Sequence, residues 1–197
     1  TYITELVALD RARQPVASYA RIYEQFFMSF YESTMSLYRD QYRMFGDPEV
    51  LPVKVLWDYT YYWGVLCQLF FQRRLTDLPM LSRLRDELQG SKALNFAMQD
   101  FLREWSSHSR RGNRPIMLDQ ARLEWFAELN RGLRDPLDDE AFKVRIRQTT
   151  LQLRQLAREI VAAASTQHPG LDAVRVLSLL DGSPSEPVPG MLFDSAA

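Results

Sequence analysis

The side chains with the greatest capacity for chemistry cluster in one run, KVLWDYTYYWG at residues 54–64, where Asp58 sits among Trp57, Tyr59, Tyr61, Tyr62 and Trp63. Buried indole N–H and phenol O–H groups need polar partners, so a core selected for stability alone prefers Leu, Ile and Val. Asp58 is expected to be one such partner, met by a tyrosine hydroxyl from a neighbouring helix. Gly64 costs a helix about 1 kcal/mol relative to Ala, which points to close approach of another backbone or of a ligand. Two readings stay open: a densely packed aromatic core, or one wall of a pocket for a planar substrate. A helix shows a cavity only one face. In the second reading Trp57, Tyr61 and Gly64, in line along the helix, form the pocket group with Asp58, while Tyr59, Tyr62 and Leu66 pack behind them.

Other chemistry is sparse. Neither GxGxxG nor GxxxxGK occurs among the eight glycines, so no recognised motif cradles a nucleotide phosphate and the chain is expected to hold no cofactor of its own. His108 and His168 are the two histidines, and neither sits in a Glu-x-x-His arrangement. Glu104 and His108, one turn apart, read as a surface contact rather than a metal site. Cys67 has Gly64 and Phe71 one turn away and no base beside it, so it reads as a small buried apolar residue and not a nucleophile. No catalytic residue is assigned. Arg110, Arg111 and Arg114 form a basic loop that is either solvated or meets a phosphate or an acidic carrier protein.

The 24 basic and 25 acidic side chains leave a net charge of -1, so no global field draws the molecule to nucleic acid or acidic lipid. A single cysteine rules out an internal disulfide and suits a reducing compartment, the cytoplasm. The first residues, TYITELVALDRAR, carry Glu5 and Asp10 inside their apolar pattern, unlike a signal peptide. The most apolar stretch, residues 53–71, is broken by Lys54, Asp58 and Gln68, which predicts a buried helix and no transmembrane segment.

Apolar residues recurring at three and four with few β-branched runs predict an all-α chain, an irregular bundle of about seven or eight helices. Helices are expected over residues 1–13, 16–45, 52–74, 78–88, 91–107, 119–132 and about 140–167, with a short one over 171–180. Gly46 is expected to close the second helix in a left-handed cap, and Ser91 to cap the fifth. In the long seventh helix Phe142, Ile146, Thr149, Leu153, Leu156, Ile160 and Ala163 mark one inward stripe. Residues 1–181 then form the helical domain, with residues 182–197, rich in Pro, Ser and Gly, as a disordered tail.

The order TYITELVALD, then LYRDQYRMFGDPEV closing an aromatic helix, then KVLWDYTYYWGVLCQLFF, resembles the C-terminal helical region of flavin-dependent halogenases of the tryptophan-halogenase-like group, within the flavoprotein monooxygenases. The resemblance covers residues 1–75. It implies that residues 1–13 end a helix shared with an upstream flavin-binding domain of the same polypeptide, which would supply FAD and the catalytic lysine. It implies further that this region covers an aromatic or carrier-bound substrate and is not catalytic alone. A helical ligand-binding or dimerisation module of the regulator type, without the DNA-reading helix-turn-helix, and a structural interaction domain are the alternatives.

Overall fold

The computed structural model describes residues 1–109, 119 and 122–181, among which the regular secondary structure is all helical, without a strand. In chain order the helices are α1 (Tyr2–Arg11), α2 (Val16–Ser36), α3 (Leu51–Tyr61), α4 (Gln68–Phe71), α5 (Leu78–Arg83), α6 (Arg85–His108), α7 (Glu124–Arg131), α8 (Asp139–Gln167) and α9 (Val174–Leu180). A π-helical segment, Tyr62–Cys67, joins α3 to α4 without a break in direction.

The two longest helices carry the core. Leu94, Met98, Phe101, Leu102 and Trp105 of α6 are buried, as are Phe142, Ile146, Leu153, Leu156 and Ile160 of α8. These faces pack on each other, α9 lies across both, and α3 with the π segment crosses α8. The inward stripe of α8 follows the predicted spacing as far as Ile160, after which Ala164 rather than Ala163 is buried. Asp138 starts this helix by accepting the Ala141 N–H at 2.8 Å, satisfying an otherwise orphaned donor.

Several boundaries depart from the sequence reading for identifiable reasons. The second helix stops at Ser36 instead of running to residue 45; Asp40 takes a left-handed φ of 60°, and a short 3-10 turn, Tyr42–Met44, follows. Gly46 is not left-handed. Asp47 builds the turn instead, its Oδ1 accepting the N–H groups of Glu49 and Val50 at 3.0 and 3.3 Å while Ser106 donates to Oδ2. The break expected near residue 90 falls at Leu84, and α6 runs unbroken through Gly90 and Ser91. Ser91 caps nothing; its hydroxyl lies 3.2 Å from that of Thr150 on α8. The basic loop at Arg110, Arg111 and Arg114 and the tail at residues 182–197 lie outside the described residues.

Gly64 has its explanation in this packing. A Cβ built there would sit 2.4 Å from Thr149 Cγ2 on α8, a separation that real carbon atoms do not tolerate. Thr149 is itself buried and β-branched, so its methyl cannot swing clear without cost. Gly64→Ala should therefore destabilise the fold by about 1–3 kcal/mol through overpacking, although Ala is the better helix former. Thr149→Ser, which deletes the offending methyl, should restore most of that loss in the double variant; denaturant melts of the four proteins in the cycle measure it. Leu153→Asp, which places a charge where no solvent reaches, should cost more than about 4 kcal/mol.

Candidate functional site

A cavity of about 540 Å³ opens between α2, the π segment with α4, α5 and the first half of α6. Its deep wall is apolar: Val65, Leu66 and Leu69 from the π segment and α4, Phe26 and Phe30 from α2, and Leu81 from α5. Such a volume falls within the range that encloses a small organic molecule. Tyr61 lies in this wall, 1% exposed. Burial pushes its phenol up to about 12, with the nearby Ser33 hydroxyl pulling the other way. It thus stays a neutral hydrogen-bonding group across the biological pH range and cannot serve as a general base.

The other residues singled out from sequence go elsewhere. Trp57 is fully buried, and its indole donates to Asn95 Oδ1 of α6 at 3.0 Å. Asp58 does not meet a tyrosine; it accepts from Lys54 Nζ at 2.6 Å and from Gln99 Nε2 at 2.8 Å. Gly64 faces Thr149. The Tyr59 and Trp63 rings meet at a tilt, 4.6 Å between centroids, and Trp63 reaches Phe126 of α7 at 5.0 Å. Tyr62 is half-exposed, beside Cys67, whose thiol is pushed up by burial.

The widened turn of the π segment accounts for Gly64 and Leu66. In an uninterrupted α-helix Gly64 would follow Trp57 and Tyr61 on one face. With i→i+5 pairing after Tyr61, Val65 and Leu66 take the cavity side and Gly64 rotates toward α8. Leu66, expected behind the pocket, lines it.

Sequence reasoning missed the group that organises the site. Lys54, 1% exposed, directs its ammonium to three acceptors: Asp58 Oδ2, Gln99 Oε1 at 3.0 Å and the Leu37 carbonyl at 3.1 Å. An ammonium has three N–H donors, and here each has an acceptor. Leu37 follows the last residue of α2, so its carbonyl is one a helix end leaves unpaired, and a cation there suits the helix dipole. The chain of bonds continues through Asn95 Nδ2 to Ser36 Oγ at 2.8 Å and from there to the Ser33 carbonyl at 2.7 Å. The Lys54–Asp58 spacing of four was the legible signal.

At the far end of α6, Trp105 Nε1 donates to Glu49 Oε1 at 2.8 Å, and His168 Nε2 meets the same oxygen. Glu104 accepts from the Asp172 N–H rather than facing His108. Among the described residues no group of three or more His, Cys, Asp or Glu is placed to hold a metal, and no described helix is long and apolar enough to cross a membrane. The chain matches no protein-family model, no curated protein and no solved structure.

Burial pushes the Lys54 ammonium down and the Asp58 carboxyl up, each opposed by the other's charge. Lys54→Met should cost roughly 3 kcal/mol, because it strands a mostly buried carboxylate and reopens the end of α2. With the ammonium gone the Asp58 carboxyl is raised further above its unfolded value. A raised carboxyl favours the fold below its unfolded pKa and loses that favour as pH rises, so the deficit of Lys54→Met should shrink on acidification from pH 7 toward pH 4. Melts at a series of pH values check the sign.

Proposed function

We propose that this chain is the C-terminal, substrate-covering helical domain of a flavin-dependent, halogenase-like oxidoreductase, and that an apolar substrate, aromatic or carrier-bound, sits in the cavity walled by Tyr61. The observation that carries the reading is the cavity itself: an apolar wall with the buried, neutral phenol of Tyr61 in it, built from the aromatic helix whose sequence resembles that enzyme group. FAD and the reacting groups would come from an upstream domain of the same polypeptide. This chain's part is to exclude water, to orient the substrate through shape and to offer the Tyr61 hydroxyl as a fixed hydrogen-bonding group.

The surface of α1 and α2 supports a neighbouring domain. Ile3 is 78% exposed and Phe27 52% exposed, and Phe27 stacks on Tyr31 with both rings open to solvent. An apolar face of this kind favours contact with another protein surface. The same face is what an independent dimerisation module would show, and that is the second reading.

Uncharged N-phenylnaphthylamine should bind this chain saturably at one site, with the fluorescence rise of a dye leaving water. Leu75→Trp, which adds an indole from the half-buried rim into the cavity, should abolish the signal while leaving the thermal melt in place, and Tyr61→Phe should change the affinity with little change in stability. Dye binding that survives Leu75→Trp would move the ligand site away from this cavity. FAD should show no saturable binding in calorimetry, since no phosphate-cradling motif is present; micromolar binding would place the flavin on this chain instead.

A further inference from the structure

The cavity is chemically two-ended. Tyr61, Val65, Leu66 and Leu69 close its inner end and are buried. At the outer edge α6 presents Arg85, Gln89 and Lys92, four and three residues apart and therefore on one face. Arg85 and Gln89 are exposed. Arg85 makes no ion pair or hydrogen bond with any described residue, whereas Lys92 is held by Glu32 at 2.9 Å and by Ser29 Oγ at 3.0 Å. Among the described residues that line the cavity, Arg85 and Lys92 are the cations and none is a carboxylate.

Resting on the reading of this cavity as a ligand site, we propose that its ligand is an amphipathic monoanion. The apolar body fills the end walled by Tyr61 and Leu66, and a single acidic head, a carboxylate or sulfonate, pairs with the guanidinium of Arg85. Three features point the same way. The inner end has no cation to receive a charged group and would desolvate one at high cost. The outer edge holds a guanidinium whose planar fork of donors matches an oxyanion bidentately and is used by no described residue. Lys92 is neutralised by Glu32, which leaves Arg85 as the cation of the described wall without a described counter-charge, so the anion is drawn to one end and the ligand's direction in the cavity is set.

Two dyes with the same ring system separate the two claims: anilinonaphthalene sulfonate and uncharged N-phenylnaphthylamine, each titrated into the intact chain at low salt. The sulfonate should bind tighter, by about tenfold, which corresponds to one charge-assisted contact. Arg85→Ala, at an exposed position, should remove most of that preference and leave the neutral dye's affinity unchanged; Arg85→Lys should keep part of it, and Arg85→Glu should reverse it. Leu75→Trp should abolish both dyes, which locates them. Equal affinity for the two dyes in the unmodified chain, or a preference that survives Arg85→Ala, overturns the assignment of the anionic head while leaving a working cavity. If neither dye binds, the cavity is not a ligand site and this inference falls with it.

Discussion

The interior of this protein depends on where one ammonium can go. Lys54 emerges from α3 into the space between α2 and α6, where it is shielded from solvent, and an unpaired cation there would be prohibitive. Its three acceptors come from three helices: the end of α2, α3 itself and α6. Satisfying them fixes the rotation of α3 about its axis and the point at which α2 stops. Burying a pair of charges does little for net stability, since desolvation offsets most of the attraction. Its effect is on specificity, because a rotated or shifted α3 would leave the ammonium and the Asp58 carboxylate without their partners.

That fixed rotation determines the cavity. Trp57, one turn from Lys54, is locked by Asn95, and one further turn carries Tyr61 to the face opposite α2. The π turn then releases the helix from strict α periodicity. Gly64 goes to the crossing with α8, and two aliphatic side chains go to the cavity. A polar core network, a helix defect and a tight helix crossing thus lie within fourteen residues of one another, from 54 to 67, and a change in any of them propagates to the wall at Tyr61.

Periodicity carried the helical class and the core stripes of α6 and α8, because the spacing of Leu, Ile and Phe reports burial directly. It could not place the end of α2, which is set by a lysine seventeen residues downstream in sequence, or the continuity of α6 through Gly90, where long-range packing against α8 outweighs a local helix breaker. At the site, Tyr61 was legible as an excess aromatic, and Gly64 as a close approach. The partners were not. Nothing local tells that Asp58 would find Lys54 and Gln99 in place of a tyrosine, or that a widened turn after Tyr61 would exchange the roles of Gly64 and Leu66. Arg85 was invisible for another reason: an exposed arginine has no sequence signature, and the cavity beside it is what singles it out.

The first helix illustrates how unevenly stability is distributed. No residue of α1 is fully buried, and its ring contacts to α2 run through Tyr2, 5.5 Å from the Tyr23 ring and 6.4 Å from Phe27. A segment held this lightly opens at low free-energy cost, long before the core around α6 and α8 does. Tyr2 is also part of the cavity wall. Docking of α1 and occupancy of the cavity are therefore thermodynamically linked: a molecule in the cavity that touches the Tyr2 ring tightens the hold on α1, and by reciprocity a protein surface that draws α1 away loosens the cavity's grip on its contents.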